Sequence, residues 1–152
     1  MIMKPTLLRS LARDTRGSMA IETAFIVPVL AVMSIGGFEV SGMVSRQSEL
    51  QSAVAEAAQI AIASAPDEQS ERNTIKSIIM ASADLPSSKV ALSNEYRCGA
   101  NTSLVTSQES CGTASVTTYL KIFVQDTYTP AWTEFGIGRP VTYRITRRVI
   151  VA

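Results

Sequence analysis

TRGSMAIETAFIVPVL occupies Thr15 to Leu30. The stretch is apolar enough for a membrane, yet Glu22 puts a carboxylate near its start. A charge inside a spanning helix costs about 2.5–3.5 kcal/mol on insertion scales. Either something offsets that cost or the charge has a use. Outward from Glu22, no residue between Thr23 and Phe38 is charged. With Ser18–Glu22 and Glu39–Val44 on either side, the weakly polar run exceeds the roughly 20 residues a spanning helix needs. Upstream lie Lys4, Arg9, Arg13 and Arg16 against the single Asp14, while only Arg46 follows nearby. That asymmetry predicts a cytoplasmic N-terminus and puts everything after about residue 45 outside the cytoplasm. Pro28 removes one backbone donor and is expected to bend the helix, which membrane helices tolerate. Gly36-Gly37 adds flexibility or allows close helix contact.

Two plainer readings compete. A cleaved secretory signal has a shorter apolar run and a small-x-small site, and no such site follows here. An uncleaved signal anchor accounts for the charges and the run but leaves Glu22 as an unexplained cost.

The totals exclude several function classes. Net charge is +1, so bulk electrostatics gives no reason to expect nucleic acid. The absence of histidine removes the commonest general base and a common metal ligand. There is no Gly-rich phosphate loop and no Gly-x-Ser-x-Gly, and the carboxylates are scattered. The chain therefore reads as a non-enzyme that holds no cofactor or metal. The two cysteines, Cys98 and Cys111, lack metal-type spacing. Outside the cytoplasm they form one disulfide; inside it they stay two thiols.

Gly17, followed by Ser18-Met19-Ala20-Ile21-Glu22, has the pattern G|xxxxE. It resembles the processing site of type IV prepilins and pseudopilins. The longer string RGSMAIETAFIVPVL is similar to the opening of TadE-like proteins, pseudopilin-type components of tight-adherence (Flp) pilus machines. Arg16, Gly17, Ala20, Glu22, Ala24, Pro28 and Leu30 fall in register with that family; Thr23 departs from it, standing where many members have an aromatic. The resemblance implies a basic leader, residues 1–17, cut between Gly17 and Ser18 by a membrane prepilin peptidase. Glu22 becomes the fifth residue of the mature chain. Ser18 then carries a free, N-methylated α-amine, and Glu22 pairs with the amine of a neighbouring subunit. The implied partners are other pseudopilins, the Flp pilin, an inner-membrane platform with its secretion ATPase, and membrane lipid. The implied location is the bacterial inner membrane, single-pass, with a periplasmic head. The length suits a minor component better than the much shorter major pilin.

Glu39 to Ala65 continues as a helix. Val40, Met43, Val44, Gln47, Leu50, Val54, Ala57, Ala58 and Ala61 recur at three- and four-residue steps, with Arg46 among the polar faces. Pro66 stops it. Ser18–Ala65 would be a single helix of roughly 70 Å. Asp67–Ala83 reads as a second helix with Ile75, Ile78, Ile79 and Ser82 on one face. Lys89–Ser93, extendable to Arg97, is a short strand, and Ser115–Asp126 is a second. Val141–Val151 alternates as a third, broken by Arg147 on its apolar side and Ile150 on its polar side. Cys98–Cys111 encloses a polar loop. Trp132 and Phe135, between the last two strands, read as loop-anchoring hydrophobes or as a contact patch on a partner or membrane. Arg144, Arg147 and Arg148 read as a solvated edge, with an acidic partner as the alternative. The expected class is α+β. A long N-terminal helix, membrane-spanning over residues 18–44, carries a head (45–152) with a second helix and three or four mostly antiparallel strands. The competing function is a periplasmic binding module on an uncleaved anchor; a pseudopilin of another secretion system is a third.

Overall fold

The computed structural model describes residues 15–66 and 68–151, and of residues 15–18 the backbone alone. The leader cations Lys4, Arg9 and Arg13, together with Asp67, lie outside the described residues. The fold is α+β: a long N-terminal helix, a second helix and a four-stranded antiparallel sheet. Two compact units divide the chain, Met1–Ser41 and Gly42–Ala152.

Helix α1 (Thr15–Ser64) contributes to both units and has Pro28 in its interior. In the first unit its large apolar side chains are open on every face. Phe25 is 73% exposed and Phe38 80%. A helix that is hydrophobic all round needs a non-aqueous neighbour. Two of its hydroxyls are turned back on the backbone. Thr23 Oγ1 donates to the Met19 carbonyl at 2.8 Å, and Ser34 Oγ to that of Leu30 at 2.8 Å. Such bonds to the preceding turn satisfy a hydroxyl without water.

The second unit is built on the other part of α1. Leu50, Ala53, Val54, Ala57, Ala58 and Ala61 are buried there, and the alanines keep the helix close to what it covers. From Leu50 on, the expected stripe holds, with Leu50, Val54, Ala57, Ala58 and Ala61 all buried; before it, Val40, Val44 and Gln47 are exposed, and Gly42, Met43 and Arg46 are partly covered. Helix α2 (Gln69–Ala83) starts behind a capping box formed by Glu68 and Glu71 and ends on Asp84 in the left-handed region. Its buried face is Ile75, Ile79 and Ala83, whereas Ser82 is exposed. Strands β1 (Val90–Cys98), β2 (Leu104–Val105), β3 (Val116–Tyr128) and β4 (Val141–Ile150) lie in the order β2-β1-β3-β4. β1 takes the extended form of the expected strand, through Arg97 to Cys98, because it pairs along its whole length with β3, from Val90↔Val124 to Cys98↔Val116. Leu120, Ile122 and Val124 of β3 and Val149 of β4 join the buried residues of both helices in one core. Arg147 interrupts the apolar side of β4 and is exposed.

Candidate functional site

The candidate assembly segment is the start of α1. The Gly17–Ser18 bond lies in helical backbone, and Glu22 is exposed on the same helix. Ser18 and Glu22 are four residues apart, hence on one helix face about 6 Å apart along the axis. Pro28 sits six residues further on, inside α1, among exposed Val27, Val29 and Leu30. Glu22 and Pro28 project from a surface with no core to fill, so packing among the described residues does not account for Glu22.

The head meets α1 through polar contacts that sequence reasoning missed. Tyr143 Oη donates to the Met43 carbonyl at 3.0 Å. Arg46 Nε donates to Asp126 Oδ2 at 2.7 Å, and its Nη1 to Glu49 at 2.9 Å. Partial burial disfavours the Arg46 charge, but the bonds to Asp126 and Glu49 outweigh it and raise its pKa. A Cβ on Gly42 would stand 2.6 Å from the Tyr128 hydroxyl, so a glycine is what lets β3 approach here. A readable signal existed: Arg46 falls one turn before Leu50, on the core stripe rather than a solvent face.

On the sheet face away from the core, Glu95 accepts from Arg148 Nε at 2.6 Å and from Lys121 Nζ at 3.0 Å. Glu95 is only 8% exposed. The Arg148 hydrogen bond, joined by that from Lys121, holds the Glu95 carboxyl below the usual range against the cost of burial. Arg97 lies over the Tyr119 ring beside them, 5.7 Å from its centroid. Arg144, Arg147 and Arg148 are all exposed, and Arg148 is engaged across the sheet through Glu95.

Cys98 and Cys111 are joined in a disulfide with their Cα atoms 5.1 Å apart. The bridge ties the end of β1 to a short 3₁₀ turn, Gln108–Cys111. Between β3 and β4, Trp132 is half-buried but Phe135 is exposed, so of these two the tryptophan anchors the loop. Among the described residues, no three His, Cys, Asp or Glu side chains converge as a metal-binding group.

Residues 17–59 match the family model of TadE-like proteins. The matched segment runs from the expected cleavage glycine into the buried alanine stripe of α1. No curated protein and no solved structure gives a significant match.

Proposed function

We propose that the chain is a membrane-anchored minor pseudopilin that takes part in assembling a tight-adherence pilus. The observation that carries this reading is an exposed apolar helix, TadE-like in sequence, whose acid at its start stands five residues past a glycine. The role is structural rather than enzymatic. ATP hydrolysis and leader cleavage belong to partners: a secretion ATPase on an inner-membrane platform and a prepilin peptidase.

In this mechanism α1 crosses the inner membrane over residues 18–44, with the leader cytoplasmic and the head periplasmic. Gly17 serves cleavage twice. It has no Cβ to obstruct a catalytic centre. It also lowers the cost of unwinding the helix at the bond to be cut by about 1 kcal/mol relative to alanine. Cleavage creates a positive α-amine on Ser18. Glu22 of one subunit pairs with that amine on the next, among other pseudopilins and the Flp pilin. A buried ion pair adds little net stability, but an unpaired buried carboxylate is strongly penalised. Glu22 thus fixes the axial offset between subunits. Pro28 bends the helix past its neighbours.

Glu22→Ala tests this role. The variant is expected to insert and be cleaved normally and to lose surface pili, scored by electron microscopy of cells carrying it as the sole copy. Normal piliation would remove the pairing role.

A further inference from the structure

Residues 129–140 join β3 to β4 and leave the sheet at a defined end. Tyr128 and Val141, which close that end, are paired. Tyr128 packs at Gly42, Tyr143 bonds to Met43 and Asp126 bonds to Arg46. The loop therefore emerges where α1 enters the head, whereas the disulfide hangs at the other end of β3, where Cys98 pairs with Val116.

The loop is held in shape. Thr133 Oγ1 donates to the Pro130 carbonyl at 2.8 Å, and the Ile137 amide to that of Trp132 at 3.2 Å. Pro130 is buried. Gly136 and Gly138 are both left-handed, at φ 74°, and bracket Ile137. A Cβ on Gly138 would lie 3.1 Å from the indole nitrogen of Trp132, so the turn closes tightly on that ring. Yet this fixed turn holds two large apolar side chains outward: Phe135 is 79% exposed and Ile137 64%. Arg139 follows, exposed.

We infer that Phe135 and Ile137 dip into the membrane interface beside the point where α1 leaves the bilayer. This inference rests on the reading of α1 as a membrane span. Chain continuity supplies the occupant. Gly42 and Met43 lie at the very end of the span read over residues 18–44, so the end of the head that carries this loop is tethered at the lipid surface. The residue types fit that surface. Aromatic rings favour the interfacial belt, and an arginine stem lies along apolar surface while its head reaches the lipid phosphates. Glu134, the loop's acid, is exposed and can remain in water.

Trp132 is the chain's single tryptophan and reports on this loop without labelling. The full chain is reconstituted in phosphatidylethanolamine–phosphatidylglycerol vesicles, with or without lipids brominated near the headgroup. Bromination is expected to quench Trp132 emission, and the double variant Phe135→Ser, Ile137→Ser is expected to abolish that quenching. A second reporter, Phe25→Trp in a Trp132→Phe background, reads the span through lipids brominated near the chain ends. Quenching at residue 25 without quenching at Trp132 would overturn the inference and leave the anchor standing, with the loop facing water or a protein. Quenching at Trp132 that survives the double variant would overturn it too. Quenching at neither position would remove the anchor and the inference together.

Discussion

Replacing Cys98 and Cys111 together by alanine tests how the head is held. The bridge spans a sequence separation of 13. A loop of that size loses about 3 kcal/mol of unfolded-state entropy when closed, in the chain-entropy model. The folded loop is held by other contacts as well. The Gly99 amide donates to the Ser115 carbonyl at 2.7 Å, and β2 pairs with β1 through Tyr96↔Val105 and Arg97↔Leu104. The variant should therefore fold to the same structure, and the loss should appear in stability rather than in secondary structure. For a domain of this size, 1 kcal/mol shifts the melting temperature by roughly 4 °C. The expected drop is thus roughly 10–15 °C in differential scanning calorimetry of the detergent-extracted full chain, with an unchanged far-ultraviolet circular dichroism spectrum. Reductant should lower the wild-type melting temperature by a similar amount and leave the variant unmoved. A variant melting within about 2 °C of wild type would refute the argument, because a bridge that closes no entropy in the unfolded chain cannot contribute about 3 kcal/mol.

Three further outcomes follow from the same geometry. Glu95 is held below its ordinary pKa, chiefly by the Arg148 hydrogen bond. Its contribution is fully present above the unfolded value of about 4.3 and is lost as pH falls through the depressed folded value. Glu95→Gln should flatten that part of the acid-unfolding profile, and an unchanged profile would remove Glu95 from the account. Gly42→Ala should destabilise the head in wild type but not in a Tyr128→Phe background, where the nearest remaining ring atom is 3.4 Å away. The double-mutant cycle should return a coupling of about 1 kcal/mol, and additivity within about 0.3 kcal/mol would contradict the contact. Ala57 of α1 is fully buried in the core that both helices share with the sheet. Ala57→Leu should cost about 1–3 kcal/mol by overpacking, read as a lower urea midpoint with unchanged slope.

The α+β plan was legible because its signals are local. The charge-free run, the alanine-rich continuation to Pro66 and the period-two alternation after Val141 each point to one element type. The alternation even located the breaks at Arg147 and Ile150. The polar contacts were not legible, because they depend on register between distant segments. Glu95 meets Lys121 and Arg148 only once β1, β3 and β4 are aligned. Arg46 was assigned to a solvent face because a cation on an apolar stripe makes sense only when Asp126 is known to lie opposite. The core stripe of α1 was right from Leu50 on and wrong only before it, for the same reason: Gly42 has no side chain to mark it, and its role comes from the approach of Tyr128. The assembly segment differs again. Gly17, Ser18, Glu22 and Pro28 were singled out from the sequence pattern alone, and the roles proposed for them need partners outside this chain.

The central claim is that Glu22 is useful because a new N-terminus forms four residues before it. Intact-mass and N-terminal peptide analysis of the membrane-extracted protein, from cells with an active prepilin peptidase, tests that claim most directly. The account predicts a chain beginning at Ser18, N-methylated, and a Gly17→Val variant that keeps its leader. A wild-type chain that retains residues 1–17 would contradict it and make α1 an uncleaved anchor for the head.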